Sequence, residues 1–345
     1  MEIIGDIELF ARAHAELPPH KVVGITGTNG KSTTTALVHH ILKTAGVPTT
    51  MGGNIGLPIL AQDPLPEGGV YVLELSSYQI DLTKSLDCDV AVLLNITPDH
   101  LDRYYNFEAY ADSKARLFGM QSMGHSAVIA EDDVEADEVS YRIQHEDGFH
   151  LHYRDIHTFH HAAVSGQENW PALQGPHNAQ NAAAVTVVCQ ILGLNERQIE
   201  AGLRTYSGLP HRMERIRDRS GVLFVNDSKA TNAEAAAPAL AAYPRIRWIV
   251  GGQAKAETLG DTVNHLDHVV KAYTIGEAGP MFARLLRDAG VAVEECETLE
   301  NAVNRAAADS QAGDTVLLSP ASASFDQFRD FEARGDRFRE LVEGL

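Results

Sequence analysis

The chain has 345 residues, 44% of them hydrophobic and 22% charged, which is the composition of a globular protein long enough for two folded domains. With 28 Lys and Arg against 47 Asp and Glu, the net charge is −19, which argues against non-specific binding to nucleic acid or to an anionic membrane. Three scattered cysteines (Cys88, Cys189, Cys296) form no C-x-x-C pair, no apolar run is long enough to span a bilayer, and the acidic opening MEIIGDIELF lacks the basic start of a secretion signal, so a cytoplasmic setting is expected.

In chain order, HKVVGITG reads as a buried strand entering a glycine loop, and KSTTTALVHHILKTAG as a helix. Leu37, Ile41 and Ala45 fall at four-residue spacing there, and Gly46 can end the helix. Residues 70–75 and 89–97 are short apolar runs of the kind found in buried parallel strands. A helix over FEAYADSKARLFGMQ and a strand at 126–130 follow. The acidic run 131–138 predicts a solvated face, and 139–165 is irregular enough to suggest hairpins. HNAQNAAAVTVVCQILG predicts a strong helix, and NERQIEAGLRTY another, with Asn195 and Gln198 placed as a capping box. Beyond SGLPHR the alternation restarts, with strands at 222–226, 246–250, 272–275 and 315–318 and helices near 233–242, 280–289, 299–309 and 328–342. Two α/β domains with mainly parallel sheets are expected, meeting near residue 207.

The stretch GITGTNGKSTTT, residues 24–35, resembles a phosphate-binding loop but puts Ile25 where the strict pattern needs glycine. The physical requirements survive that change. Gly27 and Gly30 permit a tight turn, a helix starts beside it, Lys31 brings a charge, and Ser32 or Thr33 a hydroxyl for Mg²⁺. The alternative is an ordinary strand–turn–helix. A Mg²⁺ site there needs an acid at the end of a neighbouring strand, and Glu74 is placed for it, although a surface acid would read the same. His100, after a Pro-Asp turn at a strand's carboxyl end, reads equally as a metal ligand or as a capping histidine.

Taken alone, Lys114 reads as a solvated helical lysine, and Asn178 with Asn181, three apart on one helix face, as cap or core amides before base contacts. Among the other histidines, His150, His152, His157, His160 and His161 tempt as a metal site, but no converging third ligand is evident. His39 and His40 read as helix surface.

The motifs GITGTNGKSTTT, GGNIGLP, LELSSYQ, NITPDHLDRY, HNAQNAAA, GLPHRMERI, NDSKATN and LLSPASASFDQFRDFEARG occur in one order, and together they resemble the Mur ligase family. The likeness is to the branch that joins D-glutamate to UDP-N-acetylmuramoyl-L-alanine in building peptidoglycan precursors, hence in cell-wall biogenesis, cell shape and division. That family uses the T-G-T-N-G-K-[ST] loop, so Ile25 is no defect. The resemblance implies a P-loop-type central ATPase domain with a mainly parallel sheet over 21–206 and a C-terminal Rossmann-like α/β domain over 207–345. It leaves residues 1–20 as the remnant of a linker or N-terminal domain.

It implies the chemistry too. ATP phosphorylates a substrate carboxylate, the amine of D-glutamate attacks the acyl phosphate, and ADP and phosphate leave. Gly27, Thr28, Asn29, Gly30, Lys31, Ser32 and Thr33 would hold ATP phosphates, and Ser32 with Glu74 the first of two Mg²⁺ ions. His100 would help hold the second Mg²⁺ with Lys114, which the resemblance makes a CO₂-derived carbamate. Asn54 would sit near the reacting carboxyl, and Asn178 and Asn181 on the adenine side. From the second domain, closing over the first, Arg212, Asp227 and Lys229 would contact ATP. Thr231, Lys255, Ser324, Phe325 and Phe331 would form the D-glutamate pocket, although surface or core roles read equally well for Arg212, Asp227 and Phe331 alone.

By this resemblance, the opening MEIIGDIELF matches only the tail of the family's N-terminal UDP-binding domain. A shortened chain, a separate polypeptide supplying that domain, or an acceptor without UDP would each account for this. The last leads to a folylpolyglutamate-synthase-like ligase as the alternative enzyme, and an ATP-binding module without ligase activity is the alternative class.

Overall fold

The structure, a computed structural model, describes residues 2–97, 103–131, 134–145 and 155–345. The chain divides into two compact units, one running to Leu173 and resuming over His177–Tyr206, the other formed by Gln174–Pro176 and Ser207–Leu345. Among the described residues no helix is long and apolar enough to cross a membrane.

The first unit opens with helix α1 (Asp6–Arg12) and strand β1 (His20–Thr26), followed by α2 (Lys31–Thr44), β2 (Thr49–Gly53) and β3 (Gly69–Glu74). It continues with α3 (Ser77–Asp81), β4 (Val90–Leu93), α4 (Phe107–Gly119), β5 (Ser126–Ala130), α5 (Val134–His145), β6 (Ile156–Phe159), α6 (Pro176–Ile191) and α7 (Glu196–Thr205). The sheet order is β2-β3-β1-β4-β5-β6, and every pairing is parallel. The central strand β1 is flanked by β3 and β4, with Ile25 opposite Glu74 on one side and Val92 on the other. Loops leaving the three strands therefore emerge side by side at their carboxyl ends, where open parallel sheets place ligand sites.

Near-continuous burial explains the apolar runs: β3 and β4 are buried along their whole lengths. Helix α1 belongs to this unit. Its Ile7 and Phe10 are buried, and Glu8 accepts hydrogen bonds from the Lys84 and Ser85 amides, the Ser85 hydroxyl and Arg12 Nε. Burial opposes the Glu8 charge, but the bonds from Lys84, Arg12 and Ser85 outweigh it and hold the carboxyl below its ordinary range.

The second unit comprises β7 (Glu214–Arg219), β8 (Val222–Asn226), α8 (Ala233–Ala241), β9 (Ile246–Gly251), β10 (Val269–Ile275), α9 (Gly279–Asp288), β11 (Val293–Glu297), α10 (Leu299–Asp309), β12 (Thr315–Leu318) and α11 (Phe331–Glu343). Its sheet order is β11-β10-β9-β12-β8-β7, parallel except for the antiparallel edge strand β7. The chain steps outward from β9 to β10 and β11, then returns to place β12 on the other side of β9, so β9 and β12 flank the topological switch point. Core side chains lie on both faces: Trp248, Val250 and Phe282 on one, Ile249, Val316 and Phe338 on the other.

Several sequence expectations change. The hairpins expected within 139–165 are replaced, where described, by the end of α5 and by β6, which pairs in parallel with β5. The acidic run lies partly on α5, where exposed Asp137 and Glu138 do form a solvated face over buried Ala136 and Val139. Strands β2, β7 and β11 were not evident, because TTMGG, ERIRDR and VEECE are polar or glycine-rich and sit at or next to sheet edges, where one side is solvated. The Asn195–Gln198 capping box forms as expected.

Candidate active site

Strand β1 ends at Thr26 and the chain turns through Gly27 and Gly30 with φ of +148° and +84°, a left-handed backbone that strains any residue with a Cβ. A Cβ at Gly30 would also collide with Asn181 Oδ1. Because α2 starts at Lys31, the N–H groups of its first turn and its positive dipole end lie at this loop. The loop is held from the β4 side: the Thr28 amide donates to Asn95 O at 2.9 Å and the Asn29 amide to Asn95 Oδ1 at 2.8 Å. Lys31 Nζ donates to Gly27 O at 2.9 Å and Thr28 O at 2.7 Å, which keeps its ammonium over the loop, while Ser32 and Thr33 are buried in the first helical turn.

Glu74 closes β3 beside this loop and is 2% exposed. Its Oε1 accepts from Asn54 Nδ2 at 3.0 Å, and the Asn54 amide donates to its main-chain carbonyl at 2.9 Å. Gly53, at φ +90°, makes that approach possible, since a Cβ there would strike Glu74 O. Glu74 Oε2 is buried with no hydrogen-bond partner among the described residues. A buried carboxylate oxygen left over next to a phosphate-type loop, with the Ser32 hydroxyl in the adjoining turn, is a donor set that suits a hard divalent cation.

Lys114 is not the solvated lysine that its helix alone suggested. It is 1% exposed, its Nζ donates to Gly27 O at 2.9 Å, and it lies 4.5 Å from the centre of the Tyr110 ring. Tyr110, one turn earlier on α4, brings its hydroxyl within 3.2 Å of Thr28 Oγ1. Helix α4 thus meets the phosphate-type loop through two side chains at i, i+4 spacing. His100 lies outside the described residues.

Asn178 and Asn181 are both buried on α6, and Asn181 Nδ2 donates to Asn178 Oδ1 at 3.1 Å. Thr34 of α2 donates to Asn181 Oδ1 at 3.2 Å, so the pair ties α6 to the helix that begins at Lys31.

In the second unit, Asp227 follows β8 at the carboxyl edge of the sheet and is 5% exposed. It accepts from Ser319 Oγ at 2.7 Å and from the Met213 amide at 3.2 Å. Burial pushes its pKa up to about 7, against the opposing pull of the Ser319 bond and of the Arg212 charge. Lys229 donates its amide to His211 O, and its Nζ lies 5.5 Å from the centre of the half-buried Phe331 ring. The loop after β9, which leads to exposed Lys255, is zipped to the loop after β12 by reciprocal Gln253–Ala323 bonds of 2.9 and 3.0 Å. This places the Lys255 loop against the Ser324 loop at the switch point. Ser324 is buried, Thr231 half-buried, and Phe325 is 68% exposed.

Sequence reasoning missed what holds these loops. Arg334 is 1% exposed and donates from Nε to Ser228 Oγ (2.9 Å), from Nη2 to Ser228 O (2.8 Å) and Ser322 O (3.0 Å), and from Nη1 to Ala323 O (3.3 Å). Burial brings its pKa down to about 10. Nothing in FEARG marks an interior arginine. Tyr110 and Asn95 were also missed, although the spacing of Tyr110 from Lys114 could have drawn it in.

Among the described residues the histidines do not gather into a metal cluster. Among the described residues no three His, Cys, Asp or Glu side chains are arranged to hold an ion. His160 and His161 stack on each other, and His150 and His152 lie outside the described residues. His39 and His40, expected on the helix surface, are half-buried, with hydrogen bonds to Thr49 and Thr205. All three cysteines are free and buried.

With this geometry in place, comparison with known proteins finds the Mur ligase middle domain over residues 25–189 and the Mur ligase glutamate ligase domain over 211–322. The UDP-N-acetylmuramoylalanine–D-glutamate ligase of Novosphingobium aromaticivorans is 59% identical over 345 residues, covering 99% of this chain and 76% of the relative. The ligase of the same name from Zymomonas mobilis is 58% identical over 99% of this chain and 77% of the relative. Among solved structures, a MurF ligase from Thermotoga maritima in complex with ADP superposes with a TM-score of 0.69 at 20% identity, covering 98% of this chain and 83% of that one. E. coli FolC in complex with DHPP and ADP gives 0.66 at 21% identity, covering 100% and 94%. These two likenesses support the fold, a P-loop-type α/β domain followed by a Rossmann-like one. Both domain models, and identity above one half across nearly the whole chain, show that this chain belongs to the Mur ligase family.

Proposed function

We propose that this chain is an ADP-forming ligase that joins D-glutamate to UDP-N-acetylmuramoyl-L-alanine in peptidoglycan precursor synthesis. The observation that carries the reading is the convergence of Lys31, Glu74 and Lys114 around one glycine turn, in a chain 59% identical to a relative named for that reaction.

Carboxylate is a poor electrophile until one oxygen becomes a leaving group, so transfer of the γ-phosphoryl of ATP to the acceptor carboxylate comes first. The D-glutamate amine then attacks the acyl carbon, the C–N bond forms, the C–O bond to phosphate breaks, and the amine proton is released. The protein's work is positioning and charge neutralisation. The amides of Thr28–Ser32 and the Lys31 ammonium would hold the phosphates, with Asn178 and Asn181 toward the adenine. Ser32 and Glu74 would hold one Mg²⁺, and His100 with a carbamate on Lys114 a second. Bound there, the ions would neutralise charge on the transferring phosphoryl group. Asn54, hydrogen-bonded to Glu74, is suited to orient the acceptor carboxyl. In the second unit, Arg212, Asp227 and Lys229 would contact ATP, and Thr231, Lys255, Ser324, Phe325 and Phe331 the amino-acid substrate. Lys255 offers an exposed cation for a dicarboxylate.

The test is to incubate the purified chain with Mg-ATP, D-glutamate and UDP-N-acetylmuramoyl-L-alanine and to measure phosphate and amide product together. Stoichiometric release that needs both substrates is expected. ADP binding without substrate-dependent release would instead favour a nucleotide-binding module, and release with a folate acceptor in place of the UDP substrate would favour the folylpolyglutamate-type reading.

A further inference from the structure

A cavity of about 1000 Å³ opens in the first unit between the end of β6, α6 and α7, away from the phosphate-type loop. Helical spacing separates it from the nucleotide side. Val187 and Gln190 of α6 line it, whereas Asn178 and Asn181 of the same helix are buried, the latter bonded to α2. Phe159 and Trp170, each only 5% exposed, supply aromatic walls.

The polar groups on its rim are unequally engaged. The Trp170 indole N–H donates to both oxygens of Glu200, at 3.3 and 3.2 Å, and Glu200 also accepts from Arg204 Nε at 2.6 Å. That acid is satisfied and the indole ring is fixed in orientation. Arg197, exposed on the first turn of α7, has no ion-pair partner among the described residues. Glu131 and Glu196 share the rim and would oppose a multiply charged anion. The volume matches that of a small-molecule site with apolar walls and few polar anchors.

We infer that this cavity binds a small, flat, largely apolar molecule carrying a single negative charge, its ring against Trp170 and its anion on the guanidinium of Arg197. Helix α7, which forms one wall, also packs on α2, since a Cβ at Gly202 would press into Ile41, so an occupant would rest against the support of the phosphate-type loop.

Anilinonaphthalene sulfonate is a probe of this class and can be titrated into the intact folded chain. Trp170 is one of only two tryptophans, and the other, Trp248, is fully buried in the second unit. Saturable binding that quenches Trp170 emission is expected, with the quenching lost in Trp170→Phe. Val187→Phe and Ala201→Phe fill the cavity and should weaken binding at least about tenfold, and Arg197→Glu by about tenfold. Ala201 is exposed, so its variant serves if Val187→Phe does not fold. Absence of saturable binding, or affinity unchanged in the filled variants, would overturn the site. Affinity unchanged in Arg197→Glu would overturn the anionic class of ligand.

Discussion

Lys114 Nζ and the carbonyl of Gly27 are joined by a 2.9 Å hydrogen bond that brings the middle of α4 onto the first glycine of the phosphate-type loop. A buried lysine with a main-chain acceptor and an aromatic ring beside it is an unusual environment for an ammonium, because burial penalises its charge. Conversion to a carbamate would replace that cation by an anion next to the same loop. Lys114→Ala is therefore expected to lower turnover by about 100-fold or more, and added short-chain carboxylate to restore part of it. Full activity in Lys114→Ala, measured as ADP release, would remove the residue from the mechanism.

Glu74 should separate stability from activity. Its Oε2 is buried without a partner among the described residues, and replacement by the isosteric amide keeps a carbonyl oxygen for Asn54. Glu74→Gln is expected to change thermal stability by no more than about 1 kcal/mol, yet to need much higher Mg²⁺ for turnover. A clear loss of stability with an unchanged Mg²⁺ requirement would make Glu74 a structural acid.

Asp227 gives a pH signature with a definite sign. Its folded pKa, raised to about 7 by burial, lies above the ordinary aspartate value, so between about pH 4 and 7 the folded state holds a proton that the unfolded state has released. Stability attributable to this group therefore falls as pH rises through that window. Asp227→Asn should flatten the dependence, becoming more stable relative to the parent at pH 8 than at pH 5 by on the order of 2–4 kcal/mol. Denaturant titrations of both proteins at the two pH values provide the measurement.

Arg334 would act on the loops proposed to hold the amino-acid substrate only through other residues. Its fork spans Ser228 on one loop and Ser322 and Ala323 on another, and lysine cannot reproduce that geometry. Arg334→Lys is expected to lower the thermal midpoint and to raise KM for the amine substrate by about tenfold, with a smaller change in kcat. Parallel loss of kcat with unchanged KM would contradict a positioning role.

The chain's α/β alternation was legible because buried parallel strands leave unmistakable apolar runs, as in VYVLEL, and because the glycine-loop-to-helix transition at Gly30–Lys31 is punctuated by residue types with few other uses. The edge strands β2, β7 and β11 were not, because a strand solvated on one side need not be apolar. The loops that carry the candidate ligands follow the buried strands in the order of the motifs. Lys114 and Arg334 were not readable from local sequence, since whether a long cation points to water or into a crowded loop is decided by what other strands bring against it.

The two sheets share a division between their ends. Their carboxyl edges carry the glycine turns, Glu74, Asp227 and the Ser324 loop. Their opposite edges are fastened by charge: Asp314 receives both Arg245 and Arg247 at 2.9 Å, Lys271 reaches Glu294 and Asp309, and Asp89 accepts the Val22 amide at 2.8 Å. Strands of four to seven residues separate the two ends, so a substitution at the fastened end acts on rigidity at a strand's length from the carboxyl-edge loops proposed to hold substrate. Such a molecule can drift in thermal tolerance along one rim while its chemistry is held constant along the other, and a library confined to residues like Arg245, Lys271 and Asp89 would sample the first property almost independently of the second.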